Sequence, residues 1–76
     1  MKTLDMLSAG DQARISSVAG DDSVAVRLME MGIVEGEEIE HLGAAPLGDP
    51  VEIKVRGYHL TLRKHEAEQI LVRAKS

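Results

Sequence analysis

The segment Arg27-Leu28-Met29-Glu30-Met31-Gly32-Ile33-Val34-Glu35-Gly36 constrains this chain most, because an apolar helix ends there at a glycine and a strand begins a few residues later. Upstream, Gly20, Asp21, Asp22 and Ser23 supply N-cap chemistry and negative charge for a helix N-terminus. Val24, Ala25, Leu28, Met29 and Met31 then recur at three- and four-residue spacings, which predicts one apolar face. Gly32 can enter the left-handed region at C′ without a Cβ clash, and Ile33 at C″ would pack back on Leu28 to complete a Schellman ending. The helix is therefore expected to stop at Met31 or Gly32. At about nine or ten residues it is too short to hold its shape alone in water, so it must dock on a larger core.

That core is small. A chain of 76 residues reads as one domain, 1–76, and below roughly 80 residues one core seldom supplies more than about 3 to 5 kcal/mol of net stability. The apolar fraction is 43%, but Tyr58 is the single aromatic residue, so aliphatic side chains and four methionines must fill the interior. Without cysteine there is no disulfide, no thiolate metal site and no cysteine nucleophile, which fits a reducing compartment. No stretch approaches the roughly 18 apolar residues of a membrane span. The start Met1-Lys2-Thr3-Leu4-Asp5 lacks the apolar run of a secretory signal. A cytoplasmic protein with no direct membrane insertion is expected.

A net charge of −4 argues against a nucleic-acid partner, since backbone binding needs lysines and arginines to displace counterions from phosphates. The charge is uneven. Residues 1–50 carry three Lys or Arg against ten Asp or Glu, net −7, and residues 51–76 carry six against three, net +3. The plainer reading, that interleaved strands mix the two halves in space, is favoured over a basic partner.

Most of the remaining sequence reads as short strands. Gln12 to Val18 places Ala13, Ile15 and Val18 between polar residues, and Glu37 to Leu42 carries Ile39 among acidic ones. Val51, Ile53 and Val55 alternate with Glu52, Lys54 and Arg56, and Leu60 and Leu62 with Thr61 and Arg63, which predicts a hairpin. Arg56-Gly57 and Gly57-Tyr58 both serve as its two-residue turn without changing the buried face. Gly57-Tyr58 is preferred because it sets Ile53 against Leu62 and Glu52 against Arg63. Lys64 to Gln69 reads as one helical turn, and Ile70 to Arg73 as a last strand. The expected fold is mainly β: a small SH3-like barrel of about five strands, with a short helix inserted after the first strand and one helical turn before the last. Pro46 and Pro50 flank Leu47-Gly48-Asp49 in a connection where neither must donate a ladder hydrogen bond.

Several landmarks recur in order along the chain: Leu4 and Leu7 before Gly10, Arg27-Leu28 with Met31-Gly32, and Gly36. After them come Gly48-Asp49-Pro50-Val51, Gly57 before Leu60 and Leu62-Arg63, Glu66-Ala67, and Ile70 with Val72. In that order and spacing the sequence resembles the FeoA family, the small cytoplasmic proteins of bacterial ferrous-iron uptake. The resemblance implies an SH3-like domain that assists the ferrous-iron transporter FeoB, whose cytosolic part is a G-protein domain. Similar domains form the C-terminal part of DtxR-type iron-dependent repressors, but a free-standing module without preceding DNA-binding helices is expected here.

No Walker loop, no nucleophile with a flanking base and no paired carboxylates on a rigid element are present, so no enzyme and no cofactor are expected. A proline-peptide groove of the signalling SH3 kind needs several aromatics and is disfavoured by a lone Tyr58. Arg27 interrupts the apolar helix, and an ion pair with an acidic neighbour is favoured over a partner contact. Met29 and Met31 are expected in the core. His41, His59 and His65 form no ligand spacing and are expected on the surface without metal, although His59, His65 and Glu66 are the weak metal candidates. By subtraction, the partner surface is placed on the outer side of the helix and the loop after it, around Arg27, Glu30, Val34 and Glu35, since the strands are committed to the barrel. The function expected is a non-enzymatic accessory of FeoB. The alternative is a transition-metal-binding sensor or carrier. The sequence does not set the oligomeric state.

Overall fold

A computed structural model describes residues 2–20 and 22–74. Strand β1 (Lys2–Thr3) leads into a 3₁₀ turn at Leu4–Met6, then β2 (Gln12–Val18), α1 (Ser23–Glu30) and β3 (Glu38–Ala44). A second 3₁₀ turn at Pro46–Gly48 precedes β4 (Val51–Val55), β5 (Tyr58–Leu62), α2 (Lys64–Ala67) and β6 (Ile70–Ala74). All strand pairs are antiparallel, in the order β1-β6-β2-β3-β4-β5, so the sheet has open edges at β1 and β5. The helix lies between the first and second of the expected strands and the helical turn before the last, as the sequence indicates. The sixth strand is β1, where Lys2 faces Val72 and Thr3 faces Leu71. Two residues carry no readable alternation, so nothing in the sequence announced it.

Helix α1 follows the capping argument closely. Asp22 is the N-cap, with Oδ1 accepting from the Ala25 amide at 3.1 Å, and Asp21 lies outside the described residues. At the other end Ile33 N donates to Leu28 O at 3.1 Å and Gly32 N to Met29 O at 3.0 Å, the paired bonds of a Schellman ending. Gly32 has φ +98°, and Leu28 and Ile33 are both fully buried. The helix is eight residues long, slightly shorter than expected, because Met31 is the cap rather than its last turn.

The core joins Leu4 and Leu28 to inward residues of β2, β3, β4, β5 and β6, and Tyr58 stays out of it, 72% exposed. In β2 the inward set shifts parity from Ile15 to Val18 because the pairing with β6 skips a residue between Ile15 and Ser17. The hairpin corrects the preferred register. Val55 faces Tyr58, so the turn is Arg56-Gly57, with Ile53 opposite Leu60 and Glu52 opposite Thr61 rather than Leu62 and Arg63. Both turn residues have positive φ, 54° and 82°, as the hairpin turn that matches strand twist requires. This register sets Val51 against Leu62, both buried, so apolar pairing at the core end outweighs the Glu52–Arg63 attraction on the exposed face.

Candidate functional site

Geometry separates α1 into two faces. Ala25 and Leu28 point inward and are fully buried, with Val24 and Met31 packed at the margin. At 100° per residue Met29 lies about 70° from the centre of that stripe and Val26 about 130°. Met29 is 46% exposed, which corrects its expected place in the core, whereas Met31 does pack against it. Val26 and Val34 are exposed as well. The expected contact residues Arg27, Glu30, Val34 and Glu35 are all exposed on this helix and the loop after it. The sequence reading missed that Val26 and Met29 add apolar surface among those charges. The helical wheel placed Val26 there, but a count of apolar spacings did not.

Arg27 pairs with Glu66, and so ties α1 to α2. Glu66 is 5% exposed, and its second carboxylate oxygen, Oε1, accepts from the Arg63 amide at 2.8 Å, closing the first turn of α2. The expected ion pair is therefore present, and the Arg27 side chain remains 58% exposed. Both oxygens of Glu66 thus have partners within the protein. His59 and His65 are exposed on β5 and α2. Among the described residues no group of three or more His, Cys, Asp or Glu side chains converges on a metal-sized site. His41 corrects the expectation of surface histidines: it shares the inward parity of Ile39, faces buried Ile53 across the ladder, and its buried Nδ1 has no hydrogen-bond partner among the described residues.

A charged groove runs across β2, β3 and β4, and its charges are matched within it among the described residues. Arg14 bonds Glu38 at 3.1 Å and the Gly36 carbonyl at 3.1 Å, and Glu40 faces Lys54. The acidic first half and basic second half are thus mixed by strand order, as the plainer reading of the charge predicted. On the outer side of α1 and its loop, exposed Val26, Met29 and Val34 lie among Arg27, Glu30 and Glu35.

The FeoA domain family model matches residues 2–74. The chain belongs to the FeoA family. Over 69 residues it is 41% identical to the Fe(2+) transport protein A/Fe(2+) transporter FeoB fusion protein of Porphyromonas gingivalis, a match covering 91% of this chain and 8% of that one. The chain therefore spans less than a tenth of that relative's length. Among solved structures, FeoA from Chlorobium tepidum is 44% identical with a TM-score of 0.89, covering 99% of this chain and 71% of that one. FeoA from Stenotrophomonas maltophilia, solved in complex with zinc and described as a prokaryotic SH3 domain protein, is 32% identical with a TM-score of 0.85, covering 96% and 91%. The fold is SH3-like, as the strand pattern indicates, with an open rather than closed sheet. FeoA membership connects the chain to ferrous-iron transport. Among the described residues no helix is long and apolar enough to cross a membrane.

Proposed function

We propose that this FeoA-family protein is a non-enzymatic, cytoplasmic accessory of ferrous-iron uptake that docks on the cytosolic G-protein region of FeoB. The docking surface is the outer side of α1 and the loop after it, with Arg27, Glu30, Val34 and Glu35 at the contact. The observation that carries the reading is the fusion protein of Porphyromonas gingivalis, in which a segment similar to this chain is joined to a FeoB transporter. Covalent joining keeps two modules at high effective concentration and is useful where they work on one another. The mixed surface agrees with it, since exposed Val26, Met29 and Val34 beside Arg27, Glu30 and Glu35 combine apolar area with charges that fix register.

Charge reversal at both acidic positions, E30K with E35K, tests the contact. Both side chains are exposed, so stability should move by about half a kcal/mol or less. Binding to the purified cytosolic region of FeoB and ferrous-iron uptake in cells should both fall. A folded double variant that supports wild-type uptake removes this surface from the contact, and the basic strand ends with Arg56, Arg63 and Lys64 then become the alternative. The zinc complex of the Stenotrophomonas maltophilia relative favours a second reading, a metal-binding sensor or carrier. Here His59 and His65 would have to supply the ligands without Glu66, which Arg27 and the Arg63 amide already occupy.

A further inference from the structure

We propose that Leu47, at the tip of the turn between β3 and β4, is a second anchor of the contact with FeoB, its side chain entering an apolar pocket on the cytosolic region of the transporter. The proposal rests on the docking reading above and extends that contact from α1 to this turn. Leu47 is 97% exposed, more than any other large apolar side chain among the described residues. Its backbone is unfavourable as well. Gly48 N donates to Ala45 O at 2.8 Å and closes a four-residue turn in which Pro46 and Leu47 are the central pair. Leu47 has φ +72° and ψ +9°, the left-handed geometry of the second central residue in a type II turn, a place that glycine or asparagine normally fills. A Cβ there costs free energy, and at such exposure little packing offsets it. Glycine or asparagine would suit the turn better, and any polar side chain would suit the solvent better. A residue unfavourable on both counts points to a role outside the fold.

The turn is held in place. Ala45 N donates to Pro50 O at 3.0 Å across its base, and Asp49 Oδ1 accepts from the Lys64 amide at 3.0 Å, which fastens it to the first residue of α2. A side chain presented on a fixed turn has little backbone freedom left to lose on binding. Residues 42–48 are the longest uncharged run in the sequence, so Leu47 is offered between Ala44, Ala45, Pro46 and Gly48 with no charged neighbour along the chain. The pocket that receives it should be apolar.

Area decides between occupants. A turn this short supplies a small part of the roughly 800 Å² per partner that a stable protein contact buries, so it cannot hold a partner alone. A lipid surface is the weaker occupant: even one myristoyl chain binds a bilayer only marginally, one leucine offers far fewer methylenes, and a net charge of −4 is repelled by anionic lipid. The turn must therefore belong to a larger contact, and one adjoins it. Pro50 and Arg63 line a cavity of about 380 Å³ together with Glu66, and Glu66 pairs with Arg27 of α1. Arg27 of the proposed contact is thus joined to the turn through Glu66 and Pro50. In the Porphyromonas gingivalis fusion, the molecule tethered to the similar segment is a FeoB transporter.

The test measures binding of the intact protein to the purified cytosolic region of FeoB by calorimetric titration, with the urea midpoint of each variant beside it. Leu47→Gly removes the side chain and suits the left-handed backbone. Its urea midpoint should stay at or above the wild-type value, while its dissociation constant should rise about ten-fold or more, the factor that burial of one leucine commands. Leu47→Asn should bind as weakly as Leu47→Gly, and Leu47→Met, which refills an apolar pocket, should bind within about three-fold of wild type. Unchanged binding of Leu47→Gly beside weakened binding of E30K with E35K overturns the proposal and leaves the α1 contact standing. Weakened binding of Leu47→Gly beside unchanged binding of E30K with E35K supports the anchor and removes the two glutamates from the contact. No binding by the wild type overturns both readings. A lowered urea midpoint in Leu47→Gly also overturns the proposal, since the leucine would then serve the fold. So does wild-type dimerisation, or wild-type binding to vesicles of phosphatidylcholine and phosphatidylglycerol, that Leu47→Gly loses, which would make a second copy or lipid the occupant.

Discussion

Gly32 shows how far a single residue can be read. Its φ of +98° is the left-handed conformation that the helix ending demands, and an added Cβ would stand 3.3 Å from Cδ of Arg56. Gly32→Ala should therefore destabilise the protein by about 1 kcal/mol despite the gain in chain stiffness, read as a lower urea midpoint at unchanged slope. A neutral variant would mean that the backbone there relaxes without loss. The glycine was legible because conformation at C′ depends on local sterics alone. His41 was not, because its burial depends on which strand lies across from it. The parity with Ile39 was in the sequence, but a polar residue among Glu38, Glu40 and Leu42 carries no sign of a buried partner such as Ile53. With Nδ1 buried and without a hydrogen-bond partner among the described residues, the imidazole bears a desolvation cost. His41→Met, similar in size and flexible, should raise stability by about 1 kcal/mol in the same urea experiment. A loss of stability would show that the ring's packing outweighs its orphaned nitrogen.

Between elements, the Arg27–Glu66 pair does the joining that packing of two short helices cannot do alone. α1 has eight residues and α2 four, both below the length at which a helix persists by itself. Glu66 meets Arg27 with one oxygen and the Arg63 amide with the other, so the one carboxylate caps α2 and anchors α1. Arg27→Ala leaves that buried carboxylate without its cation. Because Arg27 itself is more than half exposed and screened, the expected cost is about 1 to 2 kcal/mol rather than the larger loss of a fully buried pair. Glu66→Gln, whose amide oxygen still accepts from Arg63, should cost less, and the double-mutant cycle should show a coupling of at least about 0.5 kcal/mol. Additive effects would reduce the pair to a surface contact. At this scale the element types were legible wherever side chains alternate or recur over five residues or more, as in β2, β4, β5 and α1. Register was not. The Arg56-Gly57 turn was chosen by core pairing of Val51 with Leu62, whereas charge pairing on the exposed face argued for the other turn, and the weaker effect lost.

For the molecule as a whole, strand order converts two oppositely charged halves into a mixed surface, and it scatters His59, His65 and Glu66 so that they do not share a site. Binding of Zn(II) or Fe(II) by the monomer should therefore be no tighter than about micromolar in an anaerobic titration. Tight one-to-one binding lost in His59→Ala or His65→Ala would move the sensor reading ahead of the docking one. The proposed contact surface rests on subtraction, since exposure of Arg27, Glu30, Val34 and Glu35 says where a partner has room and not what it is. The fusion relative supplies a sharper experiment. A short flexible linker holds a tethered module at an effective concentration on the order of millimolar, far above what a separate protein reaches in a cell. If E30K with E35K acts only by weakening the docking of this chain on FeoB, joining the variant to FeoB should restore ferrous-iron uptake in cells that lack their own FeoA. The same variant supplied as a separate chain should remain deficient. Failure of the fused variant, beside a working fused wild type, would show that the two glutamates act after docking, and the role of the α1 surface would shift from attachment to control of the transporter.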